Sequence, residues 1–487
     1  MTLPQTVAAA LIASFIAWPS ADAQTIELAD CRINAGAAYP SIKARCGTFT
    51  RPLDPANPDT GSIDLNVAVV PALSLKPESD PLVPIAGGPG QGSIEFYAAT
   101  AQAFEAIRRD RDILLVDQRG TGDSARMDCD VDETIVSGRM SAAQTREATL
   151  ACIETLPHDP RFFTTSVAVG DLDALREALG YTALNLYGVS YGSRVAQHFA
   201  KRYPDTTRSV ILDGVVPPQL ALGPAIAPEA QRALDAIFDR CAEDAACADR
   251  YPNVGERFLL LQNELEAAAV SVTLPHPVHG GSETVEFGRD ELAMTVRLLS
   301  YHPTTVALIP FLLDEATSNN LTPLVAQYLS ISSSLADTLS IGMHNAVACT
   351  EDAPYFAAEN VTRDSLERTY IGPVLLEALT AICSVWPAGV LDEGFKEPLA
   401  TAAPVLLLSG EADPITPPEY ASQAAVDLRT AYLHTGALQG HGQAARGCMP
   451  EVMAEFVATP SESPIDDDCL SRTFAMPFFL GYSGPAP

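Results

Sequence analysis

The chain has 487 residues, of which 61 are acidic and 30 basic, for a formal net charge of −31. Its 47% hydrophobic content is enough to bury a large core. The acidic excess argues against a phosphate-backbone binder, so no nucleic-acid partner is expected; it keeps the chain soluble and could also draw cationic groups such as free amino termini.

The first 23 residues read as an export signal. An apolar stretch, VAAALIASFIAW, too short to span a bilayer comfortably, leads to the A-x-A cleavage pattern Ala21-Asp22-Ala23. The usual basic n-region is missing, because Arg32 is the first basic residue. The mature chain is expected to begin at Gln24 and to reside in the periplasm or outside the cell. No later segment has about 18 uninterrupted apolar residues, so no integral membrane segment is expected in it. Ten cysteines lie beyond the leader, in five neighbouring couples: Cys31 and Cys46, Cys129 and Cys152, Cys241 and Cys247, Cys349 and Cys383, Cys448 and Cys469. An even number after an export signal points to disulfides, although spacing leaves their connectivity open. No C-x₂-C pair occurs and the histidines do not cluster with the cysteines, so no metal and no cofactor are expected.

Strand-like runs near 63–70, 82–86, 113–117, 184–189, 209–213, 404–409 and 431–435 alternate with helical stretches. That alternation predicts an α/β fold with a doubly wound, mostly parallel sheet. The second run breaks into Gly87-Gly88-Pro89-Gly90, a loop that can turn a backbone N–H toward a reacting group. The fourth run enters GVSYGS at 188–193, and a helix-like run follows. A serine hydroxyl becomes a nucleophile when a sharp strand-to-helix turn lifts it out of the backbone and a base takes its proton, and glycines at ±2 suit that turn. Ser190 is therefore the candidate nucleophile. Gly88 and Tyr191 are the candidate oxyanion donors through their N–H groups.

Nearly two hundred residues of mostly helical pattern separate the fifth run from the sixth, too many for one βα unit. This stretch is expected to be an inserted cap that governs which substrates enter. The sixth run ends in a Pro-rich loop carrying Asp413, and the seventh leads to a Gly-flanked histidine, His441. Ser190, Asp413 and His441 occur in the chain order of an α/β-hydrolase triad. The other histidines sit inside helices or runs, or in loops and beside prolines, and none follows a strand–Asp–strand unit.

Three motifs, GGPGQGS at 87–93, DQRGTGDS at 117–124 and GVSYGS at 188–193, resemble the prolyl aminopeptidase branch of the α/β-hydrolases. The segments CGTFTRPLDPANP, AVACTEDAPY, CSVWP and GHGQAARGC are similar to landmarks of its secreted tripeptidyl aminopeptidase-like members. The likeness covers most of residues 30–470. One departure lies at the oxyanion loop, where the prolyl enzymes usually carry histidine and this chain has Ala86. The resemblance implies an α/β-hydrolase fold with a core at 24–217 and 401–487 around a cap at 218–400. It also fits pairing of each cysteine with its neighbouring partner. The implied function is an exported serine aminopeptidase, prolyl or tripeptidyl in type, acting on peptides through an acyl-enzyme. Such an enzyme must read a free amine, and Glu351 with its neighbour Asp352, in the cap-like motif ACTED, is the candidate site; a solvated cap-surface pair is the plain alternative. Rival readings are a carboxylesterase acting on small esters with the same machinery, and a non-catalytic hydrolase-like binding protein.

Overall fold

Along residues 405–408 the side chains alternate between two apolar clusters, Val405 and Leu407 in one, Leu406 and Leu408 in the other, and all four are buried. A strand apolar on both faces needs cover on both faces, which helices on either side of a sheet supply. The computed structural model, which describes residues 26–36, 39–129, 140–460 and 467–485, has this arrangement. The expected leader and the start at Gln24 lie outside the described residues.

The strands are β1 (Ala29–Ile33), β2 (Ile42–Pro52), β3 (Ser62–Val70), β4 (Leu82–Ile85), β5 (Ile113–Val116), β6 (Leu184–Val189), β7 (Thr207–Asp213), β8 (Val270–Pro275), β9 (Ser282–Phe287), β10 (Val405–Gly410) and β11 (Ala431–Gly436). All but β8 and β9 form one nine-stranded sheet in the order β1-β2-β3-β5-β4-β6-β7-β10-β11. From β5 to β11 the neighbours run parallel, and β1, β2 and β3 join antiparallel at one edge. The seven expected runs correspond to β3, β4, β5, β6, β7, β10 and β11. The expectation lacks β1 and β2. In β2 only Ala44 and Phe49 are buried among exposed and half-buried residues, so charged side chains hide its apolar face.

Because the central strands are parallel, their C-terminal ends gather along one edge of the sheet. The chain leaves that edge after β7 and returns at β10. Between them lie helices such as Ile226–Glu243, Val254–Ala267, Thr322–Thr338 and Val374–Cys383, together with the antiparallel hairpin β8–β9. This insertion has its own buried cluster, including Leu234, Phe258, Phe287, Val325 and Tyr370, which takes in Phe478 from the C-terminal segment. Among the described residues, no helix is long and apolar enough to cross a membrane.

The ten cysteines form five disulfides between neighbouring couples: Cys31–Cys46, Cys129–Cys152, Cys241–Cys247, Cys349–Cys383 and Cys448–Cys469. Cys31–Cys46 joins β1 to β2 across 15 residues, a loop length at which closure is worth about 3 kcal/mol in the chain-entropy account.

A buried ion pair ties the start of the chain to the core. Arg119, in DQRG after β5, is fully buried and donates to both carboxylate oxygens of Asp171 at 2.7 and 2.9 Å. It also donates to the carbonyls of Leu53 and Phe162, each at 3.0 Å. Asp171 lies in the helix Thr165–Ala178, and Arg51 of β2 reaches the same carboxylate at 3.1 Å. Removing one partner leaves an uncompensated charge in the core, which outweighs the modest net value of the pair itself. Asp171→Ala should therefore lower the unfolding free energy by roughly 3–5 kcal/mol. Urea denaturation monitored by fluorescence checks this, and a loss under about 1 kcal/mol would mean the arginine finds water.

Candidate active site

The turn after β6 is held from four sides. Ser190 has φ 55° and ψ −127°, a left-handed conformation unusual for a non-glycine residue, and it opens the helix Tyr191–Arg202. Such a residue costs on the order of 1–3 kcal/mol and persists only where its surroundings fix it. Its N–H donates to the Asp213 carbonyl at 2.8 Å, and its carbonyl accepts from the Ser193 N–H at 2.9 Å and the Ser193 hydroxyl at 2.6 Å. Ser193 Oγ in turn accepts from the Val216 N–H at 2.9 Å. The glycines at ±2 have specific reasons. A Cβ at Gly188 would collide with the Gly192 carbonyl, and one at Gly192 would lie 2.6 Å from the Ala86 carbonyl. The small residues let β6, its helix and the end of β4 close around the half-buried Ser190.

The Gly-rich loop after β4 runs across the serine. A Cβ on Gly87 would stand 3.0 Å from Ser190 Cβ and 3.6 Å from its Oγ. Gly88 follows at φ 109°. Tyr191 follows Ser190 as the first residue of the helix. The insertion clamps this loop from above: the Ser340 N–H donates to the Gly90 carbonyl at 3.0 Å, and the Ser340 hydroxyl donates to the Met127 carbonyl at 2.7 Å.

Asp413 and His441 arrive on the loops after β10 and β11. The imidazole Nδ1 of His441 lies 2.8 Å from Asp413 Oδ2. Asp413 is fully buried; its Oδ1 accepts the N–H groups of Ile415 and Thr416, each at 2.9 Å, and its Oδ2 accepts the Thr416 hydroxyl at 2.8 Å. Burial pushes the Asp413 carboxyl up, but His441 and these hydrogen bonds prevail and hold it below its ordinary value. For His441, burial favours the neutral ring, yet the Asp413 carboxylate wins and leaves its pKa above the ordinary imidazole value. With Nδ1 engaged by the carboxylate, Nε2 is the ring's other nitrogen. Room for the ring comes from Gly214, where a Cβ would lie 2.8 Å from His441 Cε1. The insertion also holds this histidine: its N–H donates to the Tyr301 carbonyl at 2.7 Å, and the Tyr301 ring meets the imidazole edge-on at 5.2 Å.

A second serine, histidine and aspartate lie together at Ser166, His198 and Asp392. Here both Ser166 Oγ, at 3.4 Å, and Asp392 Oδ2, at 2.9 Å, approach the same nitrogen, Nε2. A base needs one nitrogen for the carboxylate and the other for the nucleophile. Ser166 Oγ also accepts the Asp392 N–H at 3.0 Å, and Arg202 claims Asp392 at 3.2 Å. The grouping fastens the insertion's end to the core helices.

Glu351 and Asp352 are buried, at 0% and 1% exposure, so neither is a solvated surface charge. Asp352 lies 2.9 Å from Arg194 and 3.1 Å from Lys396. Glu351 accepts the Thr165 N–H at 2.8 Å and the Thr165 hydroxyl at 3.0 Å, and lies 3.8 Å from Arg194. Burial pushes its carboxyl up to about 7 against the pull of Arg194 and Thr165. Since Arg194 sits four residues after Ser190, these carboxylates lock the insertion onto the serine's helix.

His276, His279 and Glu283, on the hairpin β8–β9, present potential metal-ligand atoms within 4.8 Å of one another. The two imidazoles stack nearly parallel, 8° apart with centroids at 3.7 Å. His276 Nδ1 moreover accepts the Val278 N–H at 3.2 Å. These contacts, with the His276 N–H donating to the Gly281 carbonyl, close the hairpin.

The sequence profile described as "alpha/beta hydrolase fold" matches residues 80–246, and that of "TAP-like protein" matches residues 368–469. The chain is an α/β-hydrolase whose C-terminal part is similar to the TAP-like proteins. Serine protease Hip1 of Mycobacterium tuberculosis is 25% identical over 92% of this chain and 91% of its own. The tripeptidyl aminopeptidase of Streptomyces lividans is 30% identical over 36% of each chain. Among solved structures, the proline iminopeptidase of Mycobacterium smegmatis matches at 17% identity and a TM-score of 0.37, covering 84% of this chain and 96% of its own.

For this hydrolase the buried lock makes a direct prediction. Glu351→Gln should reduce activity on peptides and on uncharged esters by the same factor, together with a lower melting temperature. Parallel assays of the two substrate types check it; a loss confined to free-amine peptides would restore Glu351 as a substrate contact.

Proposed function

We propose that this hydrolase is an exported serine aminopeptidase whose nucleophile is Ser190, base His441 and orienting acid Asp413. The observation that carries the reading is the 2.8 Å contact of Asp413 with His441 Nδ1, which leaves the other ring nitrogen free on the sheet edge that also presents Ser190 in its strained turn. In this mechanism His441 Nε2 takes the Ser190 proton as Oγ attacks the substrate carbonyl. The N–H groups of Gly88 and Tyr191 bind the oxyanion, and Asp413 stabilises the imidazolium. His441 then protonates the leaving amine, and water hydrolyses the acyl-enzyme through the same histidine.

Three features support the peptidase and export parts. The relatives named above are a serine protease and a tripeptidyl aminopeptidase. The insertion touches both the oxyanion loop and the histidine loop, as a cap over the serine would, which favours short chains and chain ends over segments inside folded proteins. Five disulfides suit an oxidising compartment. A carboxylesterase would use the same atoms, so substrate assays distinguish the two.

Ser190→Ala should leave a folded protein with turnover reduced on the order of 10⁶-fold, as for loss of a triad member elsewhere. The companion assay is a panel of free-amine and N-acetylated peptidyl anilides beside simple esters. Cleavage of free-amine anilides is expected, and equal rates on acetylated ones would defeat the exopeptidase reading.

The pH profile follows from His441. The base acts when neutral, and its pKa is raised, with the Asp413 carboxylate overcoming the effect of burial. Activity should therefore fall as pH drops through a value above the ordinary 6.5 of imidazole. A profile of kcat/KM flat from pH 8 down to about 6 would contradict this assignment.

A further inference from the structure

Asp213, the last residue of β7, contacts both halves of the proposed machinery. Its main-chain carbonyl accepts the Ser190 N–H at 2.8 Å. Its side chain, 0% exposed, faces the histidine loop: both carboxylate oxygens accept the Gln443 N–H at 2.8 Å, and Oδ2 also accepts the Ala444 N–H at 2.9 Å. Oδ2 further accepts the Tyr187 hydroxyl of β6 at 2.8 Å. These neighbours are all donors, a pattern suited to an ionised carboxylate even though burial raises its pKa.

An ionised carboxylate in a core is less stable than an apolar residue of the same size unless its oxygens hold something in place. Residues 443 and 444 follow His441 by two and three positions, so what they hold is the arm that carries the base. The next residue of the chain, Gly214, leaves the gap that the imidazole fills. One strand end thus fixes the nucleophile through its backbone and the base through its side chain.

We propose that Asp213 is a positioning residue: it sets the place of His441 relative to Ser190, and its charge helps hold the imidazolium that forms during the reaction. The proposal rests on the assignment of Ser190 and His441 given above. Around the imidazole, Asp413 and Thr416 come from the loop after β10, Tyr301 and Arg297 from the insertion, and Asp213 from β7. Asp213 and Asp413 favour the protonated ring, and Arg297 opposes them.

The test is the rate of Ser190 labelling by a fluorophosphonate across pH in wild type, Asp213→Asn and Asp213→Glu, with melting curves for each full-length protein. Asp213→Asn removes the charge and replaces one acceptor with a donor. Asp213→Glu keeps the charge and displaces the oxygens. Both should label roughly 10- to 100-fold more slowly at the optimum. In Asp213→Asn the acid limb should also move to lower pH, because the ring loses a neighbouring negative charge, whereas Asp213→Glu should keep the wild-type limb. A folded Asp213→Asn with the wild-type rate, or with a slower rate and an unmoved limb, would overturn the proposal. Failure of both variants to fold would also overturn it, making Asp213 a determinant of the fold. Absence of labelling in wild type is a separate result: it would defeat the assignment of Ser190 and the proposal with it.

Discussion

The site depends on one strained residue. Ser190 occupies a left-handed backbone conformation that its side chain disfavours, and three neighbouring strand ends make that conformation tolerable. β6 delivers the serine, β7 binds its N–H, the end of β4 passes close enough that only glycine fits at 192, and the start of the following helix does the same at 188. The strain is stored where a hydroxyl must project from the backbone, and the surrounding hydrogen bonds meet the cost. A parallel sheet suits this purpose because it brings the C-terminal ends of consecutive strands to the same edge.

The same edge organises the electrostatics. Asp413 and Asp213 arrive from the neighbouring strands β10 and β7, both buried and both surrounded by donors. Each carboxylate is held by backbone amides before it influences the imidazole, so little reorganisation is needed when the ring becomes charged. The Glu351, Asp352 and Arg194 cluster uses similar ingredients for another end. There the cation is a permanent arginine, the carboxylates are consumed by it, and the product is adhesion between insertion and core.

Much of this was legible in the chain. The buried parallel strands announce themselves as uninterrupted apolar runs, and Ser190, Asp413 and His441 are marked by glycines and prolines where those runs end. Asp213 went unread because an acid followed by glycine at a strand end resembles an ordinary turn; only the fold reveals the amides of Gln443 and Ala444 opposite it. Thr416 and Tyr301 were silent for the same reason, since their partners are distant in sequence or reached through the main chain. β1 and β2 were hidden by charged side chains on a half-covered face. The partners of Glu351 and Asp352 were hidden because a pair of acids in a helical motif does not reveal its cation, and Arg194 lies more than 150 positions away.

The hydrogen bond between the His441 N–H and the Tyr301 carbonyl crosses from the histidine loop to the insertion. Specificity modules of hydrolases are often pictured as exchangeable hoods bolted to a finished engine. In this chain the hood carries one of the engine mounts. A chimera that grafts a foreign insertion between β7 and β10 would bring a new substrate vestibule and, unless it supplies a carbonyl where Tyr301 stands, an altered seat for the imidazole. On the proposed assignment, substrate range and the seat of the base are inherited together, and recombination within such a lineage should favour exchanges that leave the segment around residue 301 intact.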